Sequence, residues 1–357
     1  MRQGFPAKSV KFTRRKFKVI LVVAGLVLLS FLAFIWIAAG WLVSPPRREL
    51  QDYHREWLAH AAAHGIRVDQ FPALDGKVPC LLVQPDAAHG PGERGLKLRT
   101  QLAAQGWKLD GYGTTCGTLV LLHGREGRKE DLLPVAERFA AAGFRCVLPD
   151  LPSHGDSPVL KTHFGTSPFE SNLAADVLRE AAARFHFATE PAGVWGMSMG
   201  GSFAVNAAAA QPQLWKAMVL VCTFDTLSGV ERDRLHRWVG PFTPVVAPAV
   251  EFAITFRDGM SPGSVSSIAK AGKIAIPTLV AHGNTDALIS LSRGRRLYDA
   301  FPGRDKKWIE VQGATHGTIL VTPEPLYAEM SEWYLQWMSP RTKPAGKIIT
   351  FNHAPEI

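Results

Sequence analysis

The chain is expected to fold as an α/β protein. Its core would be a mostly parallel sheet with helices on both faces, preceded by one transmembrane helix. Three observations predict this. From Gly117 onward, short apolar runs alternate with helical segments of about a dozen residues, the pattern of βαβ units buried on both sides. Several of those runs end in glycine-bearing turns, where an open parallel sheet gathers its reactive groups. Ahead of them stands a stretch of 25 residues without a charge, Val19 to Val43.

That stretch covers about 37 Å as a helix, enough to cross a hydrocarbon core of about 30 Å with some tilt. Residues 1–18 carry seven basic side chains and no acid. Cationic flanks stay in the cytoplasm, so the amino terminus is expected inside and the body outside, in the periplasm if the cell is Gram-negative. Trp36 and Trp41 stand toward the far end, where interfacial aromatics anchor a span. A cleaved secretory signal is the alternative, with Ala38-Ala39-Gly40 as its peptidase site, although the run exceeds the usual 7–15-residue signal core. The formal charge of +9 is concentrated in this amino-terminal segment; the remaining 33 basic residues face 31 acidic ones. A nearly neutral body argues against a nucleic-acid partner.

The expected organisation is a basic segment (1–18), the span (19–43), a juxtamembrane helix and linker (44–77), one catalytic domain (78–338) and a polar tail (339–357). Apolar residues at Leu50, Tyr53, Trp57 and Ala61 predict a helix between Arg47 and Gly65. VPCLLV, from Val78, reads as the first strand, and a helical patch follows at Leu96 to Gln105. Then come strand GTLVLLHG, helix Leu132 to Gly143, strand FRCVLPD, helix Asn172 to Phe185, strand AGVWGM and an alanine-rich helix. Strands WKAMVLVCTF, IPTLVAHG and KKWIEV follow, and a helix from Pro325 to Met338 closes the domain. One long segment, Asp225 to Ala275, interrupts the alternation. Cys146 and Cys222 lie in apolar runs as inert core thiols, whereas Cys80 and Cys116 flank a loop-rich insertion and have the option of pairing in an oxidising compartment. No spacing suggests a metal site, and no cofactor is expected.

The chemistry concentrates at the strand ends. Ser198 in VWGMSMGG follows a strand and precedes a helix, the setting of a strained turn that exposes a nucleophile. The pattern Gly-x-Ser-x-Gly alone is weak in a chain with 32 glycines. A serine hydroxyl needs a base, and His316 in QGATHG follows the last strand among small neighbours. A carboxylate must orient that imidazole; Asp286 in AHGNTD is the first choice and Asp225, after VLVCTF, its rival. Two N–H donors for a developing oxyanion are expected from the backbone of Met199 and of Arg125. His123 is expected to brace the second of these loops.

LLHGREG, LPDLPSHGDS, GMSMGG, AHGNTD and GATHG occur in this order at ordinary spacing. As a set they resemble the α/β-hydrolase family, in particular its serine aminopeptidase (S33) and monoacylglycerol-lipase-like branch, over Val78 to Met338. The resemblance implies an eight-stranded, mostly parallel sheet and a lid after the sixth strand, at about 225–275. It also implies a triad of Ser198, Asp286 and His316 with oxyanion donors at Arg125 and Met199. Met197 departs from the branch, which often has His there, and the segment between Val83 and Gly117 is longer than the usual hairpin.

The expected activity is cleavage of a carboxylic ester or related acyl bond outside the cytoplasm, through an acyl-enzyme on Ser198. The substrate would be a small acyl compound; the apolar lid (Trp238, Phe242, Phe252, Phe256) suggests an apolar acyl chain or aromatic group, and the anchor favours a lipid-derived one. A peptidase uses the same residues and stays open, as do an acyltransferase and a non-catalytic binding module.

Overall fold

The structure, a computed structural model, describes residues 14–321 and 325–339. The expected stretches 1–13 and 340–357 lie outside the described residues.

A helix α1 (Arg14–Val43) is followed by α2 (Asp52–Ala59) and a 3₁₀ turn (Ala61–His64). The expected helix from Arg47 is thus extended up to Gln51 and broken near His60. Strands β1 (Ile66–Ala73) and β2 (Val78–Pro85) form a hairpin, and α3 (Glu93–Ala104) occupies the long insertion. The regular part runs β3 (Gly117–Leu122), α4 (Leu133–Ala141), β4 (Phe144–Pro149), α5 (Pro168–Phe185), β5 (Ala192–Met197), α6 (Met199–Ala210) and β6 (Trp215–Val221). Helices α7 (Leu227–Val239), α8 (Thr243–Asp258) and α9 (Ser267–Ala271) form the insertion before β7 (Thr278–Gly283). The chain then adds α10 (Leu291–Ala300), β8 (Lys306–Val311) and α11 (Leu326–Met338).

The eight strands make one sheet in the order β1-β2-β4-β3-β5-β6-β7-β8. Strands β3 to β8 are parallel, and β2 pairs antiparallel with both β1 and β4. The sheet therefore starts at Ile66 and not at Val78. IRVDQFPA hides because it is an edge strand: it pairs on one side only, carries Arg67, Asp69 and Gln70, and shows no continuous apolar run. Helix α10 was also missed. Its sequence LSRGRRLYDA is short of apolar residues, and Gly294 sits in its middle because a Cβ there would lie 2.2 Å from the His282 ring.

The core divides by face. One cluster, beneath α5 and α6, includes Val194, Phe203 and Leu220; the other, beneath α4 and α11, includes Trp195, Phe139 and Tyr334. Alternate strand residues feed the two clusters, as a sheet covered on both faces requires. The first cluster also takes in Ala39, Leu42 and Val43, so the end of α1 is packed into the body. The rest of α1 is apolar and exposed from Val19 to Phe34. It is long and apolar enough to cross a membrane. All four cysteines are free, so the pairing option for Cys80 and Cys116 is not realised; both thiols instead sit against carbonyl oxygens, of Val78 and Gly143.

Candidate active site

Ser198 occupies the single residue between β5 and α6, with φ 55° and ψ −118°. A side chain in this region is strained by about 1–3 kcal/mol, and the surroundings must enforce it. Two glycines make that possible. A Cβ on Gly196 would lie 2.2 Å from the Gly200 carbonyl, and one on Gly200 would lie 2.0 Å from the Leu122 carbonyl. The Ser198 amide is tied across to the Val221 carbonyl at 2.9 Å, and its own carbonyl accepts from Gly201. Ser198 is 8% exposed, so the turn presents little more than its side chain. Met199 is the first residue of α6, where a helical N–H has no intrahelical acceptor.

Asp286 and His316 follow β7 and β8, which are neighbours in the sheet, so their loops share one edge. His316 Nδ1 donates to Asp286 Oδ2 at 2.7 Å. The amides of Leu288 and Ile289 donate to the other oxygen, each at 2.9 Å. Burial of Asp286 opposes its ionisation. The His316 hydrogen bond and charge, with the Ile289 amide, outweigh it and hold the carboxyl below the usual range. A carboxylate that accepts the Nδ1 proton leaves Nε2 of a neutral imidazole as the base nitrogen. Among the described residues Ser198 Oγ makes no hydrogen bond. The Asp–His half of the expected triad is assembled here, while the Ser–His contact is open, as is common before substrate binds.

The rival carboxylate is committed elsewhere. Asp225 is buried and accepts from Arg293 at 2.8 Å and Arg296 at 2.7 Å, which pins the start of the insertion to α10. It has no contact with His316.

Two groups beneath Asp286 were not singled out by sequence reasoning for contact with it. His282 Nε2 lies 3.5 Å from Asp286 Oδ2 and donates to the Ile289 carbonyl at 2.9 Å, and the Cys222 thiol lies close to the same carboxylate. Ligating atoms of Cys222, His282 and Asp286 come within 4.8 Å of one another. The donor set fits a metal poorly. Burial pushes the Cys222 thiol up and the His282 imidazole down, and Asp286 already accepts three hydrogen bonds. The trio reads as packing that supports the carboxylate.

The loop after β3 carries Arg125. His123, buried beneath it, accepts the Leu151 amide at Nε2 (3.0 Å) and so carries its proton on Nδ1, which donates to Gly124 O at 2.8 Å. Burial lowers its pKa, which keeps it a neutral brace, as expected. The loop then enters a buried ionic cluster that composition gave no reason to expect. Lys129 Nζ reaches Asp150 at 2.7 Å and Asp156 at 2.6 Å, and Arg128 pairs with Glu130 and Asp156. Asp131, next along, accepts from Arg48, Tyr53 and His54. The segment after α1 is thus clamped to the same loop, and the Arg125 guanidinium itself donates to the Trp41 carbonyl of α1 and to Glu126.

Known proteins share this fold. A family model described as alpha/beta hydrolase fold matches residues 117–248. The structure of an esterase from Pyrococcus furiosus superposes with a TM-score of 0.58 at 16% identity, covering 83% of this chain and 98% of that one. The chain has the alpha/beta hydrolase fold. A pimeloyl-[acyl-carrier protein] methyl ester esterase of Chromobacterium violaceum is 27% identical over 251 residues, which are 60% of this chain and 92% of that protein. Its namesake in Neisseria meningitidis is 25% identical over 232 residues, 54% of this chain and 70% of that protein.

Proposed function

We propose that the chain is a membrane-anchored serine hydrolase that cleaves a carboxylic ester through an acyl-enzyme on Ser198. The observation that carries this is the 2.7 Å contact from His316 Nδ1 to Asp286 on the edge where the strained Ser198 turn also lies. Ser198 Oγ attacks the carbonyl carbon and His316 Nε2 takes its proton. The oxyanion is held by the amides of Met199 and Arg125. His316 returns the proton to the leaving alcohol, and a water then repeats the sequence on the acyl-enzyme to release the acid.

Ester in preference to peptide cleavage is supported by the relatives named as ester-cleaving enzymes. Attachment through α1, with the body outside the cytoplasm, is supported by its length, its exposed apolar surface and the basic residues before it. The lid of this reading is α7 to α9, between β6 and β7.

The test is hydrolysis of p-nitrophenyl esters of increasing chain length against aminoacyl anilides. The reading expects turnover of the esters; turnover of anilides alone would replace it with a peptidase. A reporter fused after Met338 should be active only outside the cytoplasm, and activity inside would overturn the topology.

A further inference from the structure

Helix α8 has two faces of different character. Thr243, Ala247, Ile254 and Asp258 turn inward and are buried. Val245, Phe252 and Phe256, spaced so that they share the opposite face, are 70–76% exposed. Trp238 and Phe242, just before the helix, are 78% and 69% exposed. So many large apolar side chains together in water mark an interaction surface.

What covers this surface follows from its neighbour. The last turns of α1 pack on α8: Phe256 meets the Trp36 ring at 6.4 Å between centroids. Arg257 lies over the same indole and donates to the Trp36 carbonyl, and a Cβ on Gly40 would strike its guanidinium. The depth of Trp36 in a bilayer can be reckoned. Lys18 marks the inner boundary of the apolar run, and eighteen residues at 1.5 Å rise span about 27 Å, close to the hydrocarbon thickness of about 30 Å. Trp36 therefore stands at the outer interface, the level aromatic anchors favour. Phe256 touches it, so the apolar face of α8 begins at that level and continues the lipid-facing surface of α1. A cation held beside it, Arg257, suits headgroup depth.

We infer that the exposed face of α8, with Trp238 and Phe242, lies in the outer interface of the same bilayer that α1 crosses, and that the site receives its ester from the lipid phase. This rests on the anchor reading above. Helix α8 lies along the interface and does not span, because its inner face is packed on the body. The lid thus stands between the lipid and the carboxyl edge of the sheet.

The test places a nitroxide on the full-length protein in phosphatidylcholine–phosphatidylglycerol vesicles, at Val245→Cys, Phe252→Cys, Phe34→Cys or Leu96→Cys, each with Cys116→Ser. Relaxation by oxygen and by a water-soluble nickel chelate is compared at each site. The inference expects oxygen to dominate at 245 and 252, as at 34, with a ratio several-fold above that at 96. If nickel dominates at 245 and 252 while 34 remains lipid-exposed, the anchor stands and this inference fails. If nickel dominates at 34 as well, the anchor reading fails and takes the inference with it. Exclusion of both reagents at 245 and 252 would mean a protein partner, such as a second copy of the chain, and would equally overturn it.

Discussion

At the carboxyl edge of the sheet, Asp286 is buried and makes three hydrogen bonds, His316 is half-buried against it, and Ser198 is held in a strained turn by contacts with β3 and β6. On the outer face of α8, Val245, Phe252 and Phe256 stand exposed. The first region finds its partners within the fold, apart from the open Ser198–His316 contact, and the second does not. The difference teaches that the proposed chemistry can be read from internal contacts, whereas the exposed face of α8 calls for a surface beyond the protein, proposed above to be the bilayer. Arg125 ties the first region to α1: its backbone is the proposed oxyanion donor and its side chain holds the Trp41 carbonyl.

The largest expected effect separates two carboxylates within the first region. Asp286→Asn should lower kcat by about 10⁴-fold with little change in KM, because an amide no longer enforces the His316 tautomer. Asp225→Asn should leave the turnover of the folded enzyme nearly unchanged and instead cost about 1–3 kcal/mol of stability, since Arg293 and Arg296 lose the carboxylate they share, although Arg293 keeps Asp233. Steady-state kinetics beside urea unfolding checks both; exchanged outcomes would make Asp225 the orienting acid. Next in size is Gly200→Ala, expected to cost about 1–3 kcal/mol or more through its clash with the Leu122 carbonyl. A stable, active Gly200→Ala protein would refute the tight-turn account.

A smaller effect is set by pH. Asp286, Asp225 and Asp131 are each held below the usual carboxylate range by their partners, against the opposing effect of burial. Their folded values lie under the unfolded value of about 3.9, so the stability they contribute is present above about pH 4 and lost as pH falls through the folded values. The urea midpoint should hold from pH 7 to about 5 and fall toward pH 3; a flat profile would deny these contacts their part in stability. The smallest effect is expected from Arg125→Ala. Its backbone amide survives, so kcat should change by less than about tenfold, whereas the loss of an oxyanion donor costs about 10²–10³. A drop of that size would show the guanidinium itself at work in the reaction.

Much of this was legible in the sequence, for reasons that can be named. The parallel strands are buried on both faces, so they read as unbroken apolar runs, and each proposed site residue lies in the turn or loop that follows one. Edge strand β1 was not legible, because an edge needs neither such a run nor alternation. Helix α10 escaped because Gly294 and three arginines disguise it; their partners, His282, Asp225 and Asp299, are distant or polar. The preference for Asp286 over Asp225 as partner of His316 was read from its place after the penultimate strand, and the pairing depends on the adjacency of β7 and β8. The cluster around Lys129, the clamp of Arg48, Tyr53 and His54 on Asp131, and the packing of α1 on α8 could not be read. They join residues far apart in the chain through side-chain geometry that no local pattern encodes.

The most direct test of the central claim is labelling of the intact protein by a fluorophosphonate, followed by mass mapping of the adduct. The account predicts one adduct, on Ser198, formed by the wild type and lost in both Ser198→Ala and His316→Ala. Labelling that survives Ser198→Ala, or active protein that takes no label, would contradict it.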